Sequence, residues 1–230
     1  MPTITLARET DFDGWRKAAR ELALNDVKPS DVTWMVRDNA PGLFDQSLEA
    51  CNDTFNVSAS FIALAQSAIL HRDPLRFAML YRLLWRLRRH RDLLAVASDA
   101  DVSLVTAMTK AVQRDQRRMR ASVRFREIGR EQKAHYVAWF EPEHHIVEAS
   151  AAFFASRFAD MPWSILTPDA CAHWDGHAVL ITPGIGKAET PTDDRLEETW
   201  RRLCAGIFNP ARIKAKPPTG AGKRTLRPRR

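Results

Sequence analysis

Glu141 and His144 lie three residues apart at the end of a predicted strand. A carboxylate beside an imidazole can transfer protons or orient a metal ligand. The sequence therefore offers this pair as a candidate catalytic site. The alternative is a turn at Glu141-Pro142 that simply ends the strand. No nucleophile-elbow motif for a Ser/His/Asp triad is recognisable.

A second set of residues could bind a metal ion. Cys171, His173 and Asp175 alternate along the chain, so on a strand they would share one face, and His177 could join them. The alternative is a hairpin turn at Asp175-Gly176 with Cys171 buried. The chain has three cysteines, far apart and without a C-x-x-C pair, which argues against a disulfide framework or a four-thiolate cluster. Nothing in the sequence indicates a cofactor.

Basic residues form the third set. Arg124 and Arg126 are predicted to share one face of a strand, and Trp139 on the next strand could stack on an unpaired base. Other cations would contact phosphates without reading the base sequence. The predicted nucleic-acid contacts are Arg82, Arg86, Arg89, Arg118, Arg124, Arg126, Trp139, Lys214 and Lys216. The alternative is that Trp139 belongs to the core and that the arginines pair with Glu127, Glu131 or Glu141.

Positive charge is concentrated in three places. The chain has 35 Lys and Arg against 28 Asp and Glu, a formal net charge of +7. Eight of the cations lie in residues 209–230, which contain no acid, so residues 1–208 are close to neutral. Within them, residues 110–133 hold nine cations against three acids, and a second arginine cluster spans residues 76–91. This distribution favours a polyanionic partner, with nucleic acid as the expected one, over merely solvated charge.

The elements that must position these residues are predicted to be mainly helical up to about residue 120. Predicted helices begin at Thr10 or Asp11 and at Ser58 or Ser60, and others cover residues 73–91, 101–119 and 147–158, with a last one after Thr192. At Ala121 the apolar period changes from 3.6 to 2. Predicted strands cover residues 4–7, 32–36, 121–126, 134–140, 163–166, 172–174 and 177–181. The predicted class is α+β, a helical N-terminal half followed by a small antiparallel sheet covered by helices.

Residues 1–210 are predicted to form a single α+β domain, with a subdivision near residue 120 as the alternative. Residues 211–230 are predicted to be a disordered basic tail. Charged residues interrupt the first 25 positions, so no signal peptide is expected, and no run reaches the roughly 18–20 apolar residues of a membrane span. These features predict a cytoplasmic protein without a membrane partner.

Several motifs together resemble one family over about residues 3–216. They are His71-Arg72-Asp73-Pro74, Tyr81-Arg82-Leu83-Leu84-Trp85-Arg86, Arg118-Met119-Arg120, Val123-Arg124-Phe125-Arg126, Trp139-Phe140-Glu141-Pro142 with His144, Phe154 with Arg157-Phe158, Trp163-Ser164-Ile165-Leu166-Thr167-Pro168, His173-Trp174-Asp175-Gly176 and Ile207-Phe208-Asn209-Pro210-Ala211-Arg212. The chain is similar to the uncharacterised bacterial domain found ahead of UdgX-type, family-4-like uracil-DNA glycosylases. The same domain also occurs as a separate protein beside a radical-SAM partner, described as a probable DNA metabolism protein.

The resemblance implies a setting in bacterial DNA repair or metabolism, beside a uracil-DNA glycosylase domain or a radical-SAM protein. The glycosylase half, with its four cluster cysteines, is not found in this chain. The expected function is therefore a non-catalytic DNA-binding or accessory domain. Two alternatives stay open: an enzyme acting on nucleic acid near Glu141/His144 or His173/Asp175, and a protein-interaction adaptor for a glycosylase or radical-SAM partner.

Overall fold

The computed structural model of the protein describes residues 2–37, 56–128, 134–185 and 198. The chain divides into two compact units, residues 1–190 and 191–230, and the described residue of the second unit is Glu198, which is helical. The predicted basic tail over 211–230, with Lys214 and Lys216, and most of the predicted helix after Thr192 lie outside the described residues. The first unit carries every other residue of the three predicted sites.

The first part of this unit is mainly helical. It contains α1 (Phe12–Leu24), α2 (Ala59–Ala68), α3 (Arg76–Leu87) and α4 (Ala100–Ser122). Asp11 accepts the N–H of Gly14 at the start of α1, and Ser58 accepts the N–H of Phe61 at the start of α2. Both are the N-caps expected from the sequence, because a short polar side chain satisfies a free backbone donor there. Two short strands, β1 (Thr3–Leu6) and β2 (Thr33–Val36), pair in parallel.

Helices α3 and α4 differ in extent from the predicted ones, and α3 ends at Leu87 rather than at Arg91. Helix α3 begins after Pro74 rather than at it, because Asp73 accepts the N–H of Leu75 and forms a separate turn. Helix α4 continues to Ser122, so the change of period at Ala121 does not begin a strand. The guanidinium of Arg124 donates to the carbonyl oxygens of Ala121 and Val123 at the end of α4, where free acceptors need partners.

A five-stranded sheet follows α4. Its strands are β3 (Arg126–Ile128), β4 (His135–Trp139), β5 (Trp163–Leu166), β6 (Ala170–Trp174) and β7 (Val179–Pro183), in that spatial order. Three of the four pairings are antiparallel, and the β4–β5 pairing is parallel because α5 (Val147–Arg157) crosses between these strands. The predicted turn at Asp175-Gly176 is present, with Gly176 at φ 96°. The α+β class with a small sheet is confirmed.

Helix α4 contributes to two hydrophobic clusters. Val105 and Met108 belong to the cluster built from the N-terminal elements, whereas Val112 and Met119 belong to the cluster between the sheet and α5. One side of α4 is thus buried in the two hydrophobic clusters along most of the helix. The opposite face of the helix is exposed, so charges placed there are not required by the core.

The longest helix is amphipathic rather than uniformly apolar. Helix α4 has 23 residues, of which seven are charged. Across the described segments, no helix combines the length and the apolar character needed to cross a membrane.

Candidate functional site

Arg82 and Arg86 lie on α3, and Arg89 follows at the i+7 position in the turn after the helix; these three residues are called the α3 row. Arg86 lies 2.9 Å and 2.5 Å from the two carboxylate oxygens of Asp99 and 2.7 Å from Oδ2 of Asp101. Arg82 pairs with the same Asp101. Arg89 is exposed and forms no ion pair within the described residues. Two of the three predicted phosphate contacts in this row are therefore already neutralised inside the molecule.

Asp99 also has a structural role at the start of α4. Its Oδ1 accepts the N–H groups of Asp101 and Val102, at 3.0 Å and 3.2 Å, as an N-cap. The hydrogen bond from Arg86, helped by these backbone donors, lowers the pKa of Asp99 to about 2. Hydrogen bonds to Asp99 and Asp101 in turn raise the pKa of Arg86. The α3 row is thus tied electrostatically to the beginning of the next helix.

Lys110, Arg114 and Arg117 repeat the i, i+4, i+7 spacing on α4 and are called the α4 row. All three side chains are exposed, and none forms an ion pair within the described residues. The two acids of this helix are engaged elsewhere, Asp101 with the α3 row and Asp115 with Arg118. The α4 row is therefore a line of unneutralised positive charge that a phosphate could approach.

Arg118 directly follows this row in sequence, but its guanidinium is hydrogen-bonded to other groups of the protein. Its Nε and Nη2 donate to Oδ1 of Asp115 at 3.1 Å and 2.8 Å, and Nη2 also donates to the carbonyl oxygen of Glu141. The residue Asp115 is 2 % exposed, and its other carboxylate oxygen accepts the N–H groups of Glu143 and His144. Arg118 and Asp115 together fasten the segment after β4 to α4.

Glu141 and His144 are placed apart by the same contacts. Nδ1 of His144 accepts the N–H of Arg72, and the His144 ring lies over the His71 ring with centroids 4.3 Å apart. Glu141 is exposed, and no hydrogen bond joins its carboxylate to His144 in the described contacts. Burial, as the largest cause, lowers the pKa of both imidazoles. The predicted acid–base pair is not assembled, and His144 instead joins the turn before α3 to the segment after β4.

The register of β3 and β4 separates the two arginines that were predicted to share a face. Arg126 lies opposite Val137, which puts it on the sheet face of His135 and Trp139. Arg124 precedes β3 and donates to carbonyl oxygens at the end of α4, at 2.7 Å and 3.1 Å. Trp139 is half-buried. The expectation is thus met for Arg126 but wrong for Arg124, because the helix runs one turn further than the alternation suggested.

A polar chain across four strands was not found from the sequence. Ser164 lies 2.8 Å from Nε2 of His135 and 2.7 Å from Nδ1 of His173, and Nε2 of His173 lies 3.0 Å from the hydroxyl of Thr182. Burial lowers the pKa of each histidine to about 4, so both are neutral near pH 7. Ser164 is 0 % exposed, which keeps it from substrate. This chain satisfies polar groups inside the sheet.

The predicted metal ligands have separate roles. Cys171 is buried, its thiol donates to the carbonyl oxygen of Thr167 at 3.7 Å, and burial raises its pKa. His173 belongs to the polar chain described above. Asp175 accepts the N–H groups of His177 and Ala178 in the hairpin turn. Within the described residues, no group of three or more His, Cys, Asp or Glu side chains could hold a metal ion.

A cleft of about 530 Å³ lies between α1, α2 and α3, and none of the predicted site residues lines it. Its apolar lining includes Trp15, Phe61 and Leu84. Charges of both signs surround it, among them Arg16, Lys17, Arg20, Asp13 and Glu21. Because acids and bases both line the cleft, its charge does not favour an anionic ligand, whereas the charge of the α4 row does.

The fold and its surfaces define an α+β domain with one ion-paired and one unpaired row of cations on neighbouring helices. The chain belongs to the family DUF4130, a domain of unknown function, whose sequence model matches residues 74–219. No curated protein and no solved structure matches the chain. Because the matched region begins at Pro74, both rows and the whole five-stranded sheet lie inside the family's domain.

Proposed function

We propose that this chain is a non-catalytic DNA-binding domain that contacts phosphates through the α4 row. One observation carries the proposal: Lys110, Arg114 and Arg117 are exposed on one side of a rigid helix with no carboxylate partner in the described residues. A polyanion that meets such a row releases its condensed counterions, which favours binding without any reading of bases.

The length of the row suits a nucleic-acid backbone. Lys110 and Arg117 are seven residues apart on α4, which corresponds to a rise of about 10 Å. This distance equals about three base steps of a DNA strand. Side chains as long as Lys and Arg can therefore reach successive phosphates from a helix lying along the backbone.

The resemblance noted from the sequence supports DNA as the partner and repair or metabolism as the setting. In this arrangement a uracil-DNA glycosylase domain or a radical-SAM protein supplies the chemistry, and this domain supplies affinity.

The test is fluorescence-anisotropy titration of the full chain with a labelled DNA duplex between 50 and 200 mM salt. The variant Arg114→Ala/Arg117→Ala removes two row cations, and we expect it to weaken binding about tenfold or more. The slope of log K against log [salt] should become shallower by about 2, since each lost phosphate contact contributes about 0.9.

Arg16→Ala/Arg20→Ala is the matched control, because it removes two exposed arginines at i, i+4 from α1. We expect this control to change the affinity less than twofold. An equal loss in both variants would show that binding follows net charge rather than the α4 row. A further variant, Lys214→Ala/Lys216→Ala, measures the contribution predicted for the basic tail.

A further inference from the structure

An exposed aromatic ring lies beside the last turns of α4. Phe153 on α5 is 37 % exposed, and it is the one aromatic among the exposed large apolar side chains of the described residues. The guanidinium carbon of Arg120 lies 4.7 Å from the centre of its ring. Arg120 follows Arg117 by three residues, so the ring stands next to the end of the α4 row.

The Phe153 ring packs against a buried aromatic residue of the core. It packs edge-to-face on Phe154, with centroids 5.3 Å apart and an angle of 85° between the rings. Phe154 is 1 % exposed and contacts Trp163 and Phe158. Because this support limits the motion of the ring, a planar ligand that lands on Phe153 loses little additional freedom.

The surroundings of the ring are cationic. Arg157 lies one helical turn beyond Phe153 on α5 and is also exposed. Glu148 is the sole acid of α5, and it pairs with Arg8. Arg120 contacts Phe153, and Arg117 and Arg157 each lie one helical turn from this pair, Arg157 with its guanidinium carbon 5.3 Å from the centre of the Phe158 ring. No acid of α4 or α5 pairs with these three arginines in the described contacts. We call Arg117, Arg120, Phe153 and Arg157 the α4–α5 patch.

We infer that the α4–α5 patch binds single-stranded nucleic acid, with an unpaired base stacked at Phe153 and the flanking phosphates held by the arginines. An exposed aromatic ring gains from stacking only when a base presents its flat face, which a duplex hides between neighbouring base pairs. The planar guanidinium of Arg120 can extend the same stack. This inference rests on the proposed function and adds the form of nucleic acid.

The experiment compares Phe153→Leu with the wild-type full chain in anisotropy titrations against a labelled 12-nucleotide single strand and the corresponding duplex. Leucine keeps apolar contact with Phe154 but removes the aromatic face. We expect about a tenfold loss of affinity for the single strand and less than a twofold change for the duplex. Phe153→Tyr should retain wild-type affinity, and thermal unfolding of each variant confirms that the fold is intact.

Lys110→Ala/Arg114→Ala, which removes two α4-row cations outside the α4–α5 patch and is measured in parallel, distinguishes this inference from the proposed function. If that variant weakens both ligands while Phe153→Leu changes them equally or not at all, phosphate binding stands and stacking at Phe153 is overturned. If neither variant changes binding, both proposals fail. A single-stranded RNA of the same sequence tells the two polynucleotides apart, and cross-linking of a 5-iodouracil strand to a peptide containing Phe153 would support the inference directly.

Discussion

The α3 and α4 rows have the same spacing and opposite electrostatic environments. Each has three cations at i, i+4 and i+7; the α4 row lies wholly on its helix, whereas Arg89 of the α3 row lies in the turn just after α3. In the α3 row, Arg82 and Arg86 are paired with Asp99 and Asp101. In the α4 row, no described carboxylate reaches any of the three cations. The spacing of cations along a chain thus predicts that they share a side, but it does not predict whether acids from elsewhere in the fold neutralise them.

The difference comes from what the chain places opposite each row. The connection after α3 returns the chain so that the first turn of α4 faces α3, and that turn carries two acids. Acids are favoured at a helix N-terminus in any case, because they satisfy free N–H groups and face the positive end of the helix dipole. The α4 row lies further along the helix, where Asp115 is turned inward to Arg118. The acids at the start of α4 therefore neutralise two cations of the α3 row, whereas the α4 row has no such partner among the described residues.

The largest effect is expected at Asp115, a buried acid in the basic half of α4. Replacing Asp115 with Ala leaves the N–H groups of Glu143 and His144 without this acceptor and removes the buried carboxylate that Arg118 binds. We expect the free energy of unfolding to fall by about 3 kcal/mol, as is typical when one partner of a buried pair is removed. Urea denaturation measures it, and Asp115→Asn, which keeps one acceptor oxygen, should lose less. A loss below 1 kcal/mol for the alanine variant would contradict the structural role of this carboxylate.

The next prediction compares thermal stability and DNA affinity for one variant from each row. Arg86→Ala removes a cation with two partners, so we expect Tm to fall by about 2–3 °C with little change in DNA affinity. Arg114→Ala removes an unpaired cation, so Tm should stay within 1 °C while DNA affinity falls several-fold. Thermal unfolding and anisotropy on both variants give the four values. Equal losses of affinity in the two variants would show that the α3 row is accessible despite its ion pairs.

A smaller effect is expected from turning the α3 row into a second free row. Asp99→Asn/Asp101→Asn keeps a side-chain oxygen at the N-cap of α4 but leaves Arg82 and Arg86 without their acids. We expect DNA affinity to rise about threefold at 100 mM salt, since two more cations can meet phosphates. Asp13→Asn/Glu21→Gln on α1 makes the same change in net charge and is the matched control. An equal gain from the control would assign the effect to overall charge.

Local features of this fold were predictable from the sequence because they depend on neighbouring residues. The N-caps Asp11 and Ser58 and the turn at Asp175-Gly176 follow from side chains within a few positions. The parallel pairing of β4 with β5 was not predictable in this way, since it depends on how α5 crosses the sheet. The end of α4 was placed too early because the cap by Arg124 satisfies helix carbonyls that the apolar period does not reveal.

The candidate surfaces follow the same division. Spacing along the chain was sufficient to recognise the α3 row, whereas its neutralisation requires a contact between Arg86 and a residue 13 positions away. The chain from His135 through Ser164 to His173 depends on strand register, which the sequence does not specify. Phe153 could have been noticed as an aromatic off the buried stripe of α5, but its place beside Arg120 needs the packing of two helices. DNA as the partner stays a prediction.

The smallest effect is a difference in acid sensitivity between the rows. Arg86 lowers the pKa of Asp99 to about 2, below the ordinary value of 3.8, so this pair contributes stability above pH 4 that is lost as the pH falls from about 4 to 2. We therefore expect the urea midpoints of wild type and Arg86→Gln to differ at pH 5 and to converge as the pH falls towards 3. Arg114→Gln should follow the wild-type curve at every pH, because no carboxylate among the described residues pairs with Arg114. The pKa values of His135 and His173 are lowered to about 4, so these residues reduce the stability of the fold as the pH falls from about 6.5 to 4. This reduction is the same in all three proteins, so it cancels in the comparison. A constant offset between wild type and Arg86→Gln from pH 5 to pH 3 would mean that Arg86 stabilises the fold by packing rather than by its charge.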